Sequence, residues 1–556
     1  INIFAFVHFY IKDSMIRYNS CNQLTIEEFK TPFEIKLDKN NRCVKLSQEI
    51  PWDDLAKIYY KNMSKNEGRP SIDARIIIGA IIVKHKIRFT DEETILQIQE
   101  NPYLQYFLGL QAYRTDWVFV PSLFVDIRKR LGIDKFNDMT DSLIEKVFPD
   151  EEETEKTNNN RKKYSKQKAT GNKTNDNINK DNINNDGEQI NSSSEISNNQ
   201  ENTGSSSEPA PIKHKGKLIL DATAVNQAIK FPIDLNLLNE SREITEEIID
   251  KFWELGLYSK KPRTYRRVAR KDYLATAKKR KKSKKENRKA NGKQLNYLKR
   301  NLSHIDKVLE SAAGRPFPLP YKKQKELLVI REIYRQQREM HTKRVNRCDD
   351  RIVSISQPYI RPIVRGKSDA KAEFGPKFTV DLQIGFSKID RFSWDAYNES
   401  EDLIPAVENY YENNGYYPES VNADTIFGTQ ANRNYLQSKG IRFIGKPLGR
   451  PRKVTAENKK EIAAEKRKRQ KEYRERIPIE GKFGQGKNGY ELGYVRARTS
   501  KTSESWIGAI FFVMNIINME KLMSKKINSL QNIIKIAINR YFLIKIYKYL
   551  LIQQYC

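Results

Sequence analysis

Tyr473-Arg474-Glu475-Arg476-Ile477-Pro478-Ile479-Glu480-Gly481-Lys482-Phe483-Gly484-Gln485-Gly486-Lys487 holds a tyrosine, an arginine, a glutamate and a lysine at spacings of 3, 4 and 7. In a helix about 3.6 residues complete a turn, so these spacings place all four side chains on one face. An acid flanked by cations on one face suits a site that holds a metal and a phosphate side by side. Gly481, Gly484 and Gly486 each cost a helix interior about 1 kcal/mol. The shared face is therefore expected to reach Glu480 and to weaken beyond it.

Two more carboxylates lie upstream where strands should end: Asp221 in Lys217-Leu218-Ile219-Leu220-Asp221-Ala222-Thr223, and Asp424 in Val421-Asn422-Ala423-Asp424-Thr425-Ile426. Each closes a short apolar or extended run. Three acids in the order Asp, Asp, Glu, the last on a helix, are what two-metal phosphodiester chemistry needs, since two Mg²⁺ ions about 3.5–4 Å apart activate the attacking oxygen and stabilise the leaving one. Mg²⁺ keeps several of its waters, so three carboxylates suffice. Cys21, Cys43, Cys348 and Cys556 and the five histidines are scattered, with no Cys-x-x-Cys pair. A zinc site or a disulfide framework is not expected, and a catalytic metal should be a hard, oxygen-bound one.

The chain resembles the DDE transposases of bacterial insertion sequences, in the branch with the Y-(2)-R-(3)-E-(6)-K signature, which is complete at Tyr473, Arg476, Glu480 and Lys487. The resemblance extends to Asp350-Arg351-Ile352-Val353-Ser354, Arg361-Pro362-Ile363-Val364-Arg365-Gly366-Lys367, Glu373-Phe374-Gly375 and Leu448-Gly449-Arg450-Pro451. Gly68-Arg69-Pro70-Ser71 and Phe107-Leu108-Gly109-Leu110 resemble that branch's helical N-terminal domain. It implies an α/β fold: an RNase H-like catalytic domain with a large helical insertion, preceded by a small all-α DNA-binding domain. It also implies catalysis and metal binding by Asp221, Asp424 and Glu480, two Mg²⁺ ions replaceable by Mn²⁺, and phosphate contacts from Tyr473, Arg476 and Lys487. The expected activity is cleavage at inverted-repeat ends and joining of 3′ ends to target DNA. The expected setting is a homodimer on DNA, cytoplasmic and nucleoid-associated, with no membrane or nucleotide cofactor. The alternative is a catalytically inactive DNA-binding remnant.

Composition points the same way. Lys and Arg number 101 against 70 Asp and Glu, a net charge of +31, and the pI is near 9.6. AT-rich coding would raise Lys and Asn together but does not account for the cationic excess, so a polyanionic partner is expected. The apolar runs at 1–11, 506–517 and 541–552 are too short or too interrupted by Lys to span a bilayer, and the first lacks the basic start and cleavage site of a signal peptide. The chain opens on Ile1: residues 1–14 read either as upstream sequence translated in frame before Met15 or as a rare start codon written literally.

Residues 1–21 are expected to be upstream or disordered. Residues 22–148 read as a compact helical domain. Pro70-Ser71 opens the apolar run from Ile76 to Val83, Thr90 caps a helix with Glu93 at N3, Gly109 closes the next, and Pro121-Ser122 starts another. That last helix carries Arg128, Lys129 and Arg130, candidate DNA contacts or an ordinary solvated face. Residues 149–212 are Asn, Ser, Glu and Lys and read as a disordered linker. The catalytic domain is expected over 213–522, with a basic helical insertion at 235–347 and a tail at 523–556. In the insertion Leu295, Leu298, Leu302, Ile305 and Leu309 form one stripe. Lys278–Lys285, including Lys281 and Lys282, reads as a phosphate-tracking surface or a solvated charge run. Strands are expected at 351–356, 378–386 and 441–444 and at Asp424, with Gly385 and Asp390 as punctuation, and helices at 403–413 and 430–439. Trp506–Ile517 reads as a core helix closing the domain. Arg365, Lys367 and Trp394 are further candidate DNA contacts; Trp394 could stack on an unpaired base or simply pack. The run Gly481–Asn488 nearly matches the phosphate-binding P-loop, but Asn488 replaces the hydroxyl and no clear strand precedes it.

Overall fold

A computed structural model describes residues 29–30, 36–61, 63, 71–149, 214–313, 316–364, 372–450, 452–455 and 457–554. The residues before and after Phe148–Lys213 form one compact unit. Residues 1–21 and, apart from Pro149, the linker at 149–212 lie outside the described residues.

The N-terminal part is helical: α1 (Arg42–Glu49), α2 (Trp52–Tyr60), α3 (Ala74–Ile87), α4 (Asp91–Glu100), α5 (Pro102–Phe107), α6 (Leu123–Arg130) and α7 (Ile133–Val147). Two local signals work as read, whereas α3 is opened not by Pro70-Ser71 but by Asp73, whose carboxylate accepts the Arg75 N–H at 2.7 Å. The Thr90 hydroxyl accepts the Glu93 N–H at 3.1 Å, and Gly109 follows α5 at φ +83°, a conformation costly for any residue with a Cβ.

The central sheet is mixed. It contains β1 (Lys217–Ala224), β5 (Lys377–Gln383), β6 (Phe386–Ser393), β7 (Ser420–Ala423) and β8 (Arg442–Ile444), in the order β6-β5-β1-β7-β8. β5 is antiparallel to both neighbours, whereas β1, β7 and β8 run parallel. Two-stranded pairs join β2 (Asn226–Gln227) to β9 (Tyr494–Val495) and β3 (Pro362–Val364) to β4 (Ala372–Phe374). Side chains alternate across the sheet. Leu218 and Leu220 pack with Leu403, Val407 and Tyr410 of α12 (Leu403–Asn414) and Leu436 of α13 (Gln430–Ser438) on one face. Ile219, Phe378, Val380 and Leu382 pack on the other with Ile507, Ile510, Phe511 and Met514 of α16 (Ser500–Gln554).

Between β2 and β3 stand the helices α8 (Asp234–Glu254), α9 (Arg266–Ala277), α10 (Lys284–Ser311) and α11 (Tyr321–Lys343). They close a core of their own, in which Leu295, Leu298, Leu302 and Ile305 meet Ile248, Ile249, Phe252 and Ile330.

Two strand expectations change. Residues 351–356 form no strand, because Ile352 and Ile355 turn into the insertion core and the Ile352 N–H is taken by Gln336 at 3.0 Å. Residues 378–386 are two strands, broken at Ile384 and Gly385 with φ +50° and +83°. Asp390 does not end a strand. It lies within β6, where the register slips between Thr379 and Val380, so one residue bulges. The core helix expected at 506–517 is part of α16, which continues unbroken past residue 523. Its Ser500–Asn532 portion is long and apolar enough by composition to cross a membrane, yet most of its apolar stretch is buried inside the protein.

Candidate active site

The signature does not lie on one helix. α14 (Lys459–Arg474) stops before Glu475, and α15 (Ile477–Gly489) starts anew after Arg476. Pro478 falls in the first turn of α15, where its missing N–H costs nothing, but in a continuous helix its ring would clash with the carbonyl of Arg474. The glycines, by contrast, do not end the helix. Ile479 and Phe483, one turn apart, are buried against the sheet; each is worth about 1.5–3 kcal/mol of burial, which offsets the roughly 1 kcal/mol lost at each glycine. The break in the shared face therefore lies before Glu480, not after it as the glycines suggest.

Across this break the side chains still converge, through Arg476. Its guanidinium donates to Asp221 Oδ2 at 3.0 Å, to Glu480 Oε1 at 2.5 Å and to the Tyr473 hydroxyl at 3.2 Å. Lys487, in the last turn of α15, donates to the Ala224 carbonyl at 3.0 Å and faces Glu373 at 3.8 Å. Both cations therefore point toward the C-terminal half of β1, in which Asp221 lies within the strand, not at its end as the sequence suggested, and Ala224 closes it.

Sheet register supplies the second acid. Leu220 pairs with Ala423 on neighbouring parallel strands, which lie about 4.8 Å apart, so Asp221 in β1 and Asp424 just after β7 are the next residues on each side. Asp424 directly follows β7 and caps the short turn Thr425–Phe427, its carboxylate accepting the Thr425 N–H at 2.6 Å. Burial pushes the Asp221 carboxyl up to about 6; Arg476 opposes this, while Asp424 and Glu399 add to it. The Asp221 side chain is 15% exposed and that of Glu480 52%, so Glu480 stands at the rim.

Sequence reading did not pick out Glu399 and Lys377. They form a 2.9 Å ion pair, both largely buried, and Glu399 lies within electrostatic reach of Asp221. Lys377 opens β5 opposite Ala224, whereas Glu399 comes from a short turn ahead of α12; only folding joins them. Gly375 also finds its reason here, since a Cβ would sit 2.1 Å from the Val225 carbonyl oxygen.

Among the described residues no group of three or more His, Cys, Asp or Glu is gathered closely enough to hold a metal ion. The separation has a visible cause: Arg476 sits between Asp221 and Glu480 and bridges them as a cation. The donors, being carboxylates only, fit a hard divalent ion.

Other candidate contacts fall out differently. Arg128 is not a surface group: it is 8% exposed, forms a fork with Asp91 and lies 4.9 Å over the Trp506 ring. Lys129 pairs with Asp126 at 3.0 Å, and Arg130 is exposed. Lys281 and Lys282 lie in the α9–α10 connection, where Lys279 pairs with Glu286 at 2.7 Å. Trp394 meets Tyr359 and Phe392 edge-on at 4.5 and 5.6 Å. Arg365 and Lys367 lie outside the described residues. The P-loop-like run is helical, so its amides are spent within α15 rather than offered to a phosphate.

Residues 421–518 match the family model "Transposase DDE domain", a span that includes Asp424 and Glu480, and residues 31–130 match "Transposase domain (DUF772)". An uncharacterized protein, ORF8 in the nfe locus of Rhizobium meliloti, is 26% identical over 120 residues, which are 21% of this chain and 56% of that protein. The chain thus spans about half the length of that relative. No solved structure matches. Transposase DDE domains as a class depend on divalent metal. Two transposase matches, one over the N-terminal helices and one over the strand and helix that carry Asp424 and Glu480, support an insertion-sequence transposase with a DDE domain.

Proposed function

We propose that the chain binds the inverted-repeat ends of its own element, cleaves them and joins the 3′ ends to target DNA at one site built on Asp221, Asp424 and Glu480. The observation that carries this reading is the register that sets Asp221 beside Asp424, with Glu480 tied to Asp221 through Arg476. In this reading the catalytic domain is RNase H-like, as the mixed order β6-β5-β1-β7-β8 supports. Two Mg²⁺ ions, replaceable by Mn²⁺, would be held by the three carboxylates and would supply an activated nucleophile and a stabilised leaving oxygen. Arg476 leaves Asp221 and Glu480 for a DNA phosphate, as Tyr473 and Lys487 hold neighbouring phosphates. The guanidinium fork suits either partner, since carboxylate and phosphate both accept two parallel N–H bonds. Acting on two ends calls for a homodimer on DNA, in the cytoplasm and at the nucleoid.

The test substitutes the acids one at a time. Asp221→Asn, Asp424→Asn and Glu480→Gln keep size but remove a negative ligand. Each should retain binding of end DNA in a gel shift and lose both cleavage and strand transfer in Mg²⁺. Losses should be non-additive, a double variant being hardly worse than a single one. Normal cleavage by Glu480→Gln, or cutting by the unaltered protein in EDTA, would remove the assignment.

A further inference from the structure

The helix that leads into the site buries no side chain and touches the sheet chiefly at its end, where the Glu472 carbonyl accepts from Asn422 at 3.1 Å. α14 has no buried residue along its 16 positions, and a helix polar on every side gains nothing from a core. Its acids are nevertheless sorted to one side, while Lys459, Lys466 and Lys468 add further cations around the rest of the helix. Glu461, Glu465 and Glu472, at spacings of 4 and 7, form one stripe. That stripe is satisfied by arginines: Arg452 and Arg469 each reach Glu465 at 2.6 Å, and Arg442 reaches Glu472 at 2.6 Å. About a third of a turn round the helix, Lys460, Arg467, Lys471 and Arg474 form a second stripe at spacings of 7, 4 and 3. None of these four has an ion-pair partner among the described residues. The acids tie the helix to the body and leave a row of cations facing outward.

That row ends at the acids of the site, because Arg474 lies two residues before Arg476. From Lys460 to Arg474 the helix rises about 21 Å at roughly 1.5 Å per residue. A duplex advances about 3.4 Å per base pair, so the row matches about six base pairs. The Lys278–Lys285 stretch lacks both features: Lys279 is neutralised by Glu286, and the segment is a connection rather than a straight row. We infer that α14 is a backbone-tracking arm that holds duplex DNA running out of the active site on one side of the cut. The inference rests on the transposase reading and adds to it a surface, a polarity and a length.

The experiment uses the full chain and two duplexes from a border of the element that encodes it. Both contain the cut position; one extends about ten base pairs further into the element and the other about ten into the flank, longer than the row either way. Lys460→Gln, Arg467→Gln and Lys471→Gln are combined in one variant. A second variant, Lys460→Arg with Arg467→Lys and Lys471→Arg, keeps the charge. The neutral variant should weaken binding of one duplex and not the other, which also names the side. On that duplex the slope of log affinity against log salt should fall by about 0.9 for each phosphate no longer neutralised, about 2–3 in all. The charge-keeping variant should bind as the unaltered protein does. Equal binding by neutral and unaltered protein, equal weakening on both duplexes, or equal weakening in both variants would each overturn the arm. If the unaltered protein binds neither duplex, the transposase reading itself fails.

Discussion

Arg476 is 8% exposed and touches Asp221, Glu480 and Tyr473 at once, so its guanidinium is the hinge of the site. A lysine there would keep the charge but lose the fork, since an ammonium is a point charge and cannot bridge two carboxylates in a fixed plane. Arg476→Lys should therefore keep overall DNA affinity within a few-fold while end cleavage drops by about tenfold or more, as positioning effects of this kind do. Cleavage by Arg476→Lys at the unaltered rate would show that the fork has no part in positioning. Asp221 depends on the same guanidinium. Burial raises its carboxyl and Arg476 opposes the rise, so removal of the fork should leave Asp221 protonated over a wider pH range.

At the scale of elements, Arg128 shows how a charge on a helix can be committed inward. Asp91, in the first turn of α4, receives Lys84 of α3 at 2.7 Å and the Arg128 fork from α6, so one carboxylate joins three helices. Both cations also lie 4.9 Å over Trp506 of α16. Arg128→Met should destabilise the protein, but by less than the roughly 3–5 kcal/mol of a wholly orphaned buried charge, because Lys84 remains. It should leave the salt slope of DNA binding unchanged; a changed slope with unchanged stability would return Arg128 to the DNA-facing surface. The junction also carries a pH signature. Burial would raise the Asp91 carboxyl, but Arg128 and Lys84 outweigh it and hold it below the usual carboxylate range. A depressed folded-state value means that the stabilisation is complete above the unfolded value near 3.9 and is lost as pH falls below it. Denaturant melts of the unaltered protein and of Asp91→Asn should be fully separated above about pH 4 and converge as pH falls further, through the lower folded-state value. Parallel curves at every pH would remove the ion junction as the cause.

For the whole molecule, α16 is the element on which both halves are built. It packs the sheet through Ile507, Ile510 and Phe511, and its Phe512 ring lies 5.7 Å from Phe136 of α7. Asn515 accepts from Ser387 of β6 and donates to Thr140 of α7, so polar bonds cross the same seam. Gly508 sets how closely α7 approaches: a Cβ there would lie 2.8 Å from Phe136 Cδ2. Gly508→Ala gains about 1 kcal/mol of helix propensity and loses about 1–3 kcal/mol to overpacking, so the net effect should be a modest destabilisation. Because the seam is shared, N-terminal helices and sheet should melt together, in one transition at lower denaturant. Two separated transitions, or a more stable variant, would contradict a common core.

What the residues determined alone was local. Periodicity placed the insertion stripe at Leu295, Leu298, Leu302 and Ile305, and cap chemistry placed Thr90 and Gly109, because these features depend on neighbours within a few residues. Asp424 could be read as a strand-end acid, but Asp221 lies inside β1, which runs on to Ala224 because β5 keeps pairing with it; only register, a pairing between segments some 200 residues apart, set the two acids side by side. The tertiary structure decided the rest. It turned Ile352 and Ile355 into the insertion core instead of a sheet, since an alternating pattern says that one face is buried and not what buries it. It drew Arg128 inward, because a cation's partner is chosen by packing and not by spacing. It joined Lys377 to Glu399 beside Asp221, and it kept α15 helical through its glycines because Ile479 and Phe483 found a core to enter.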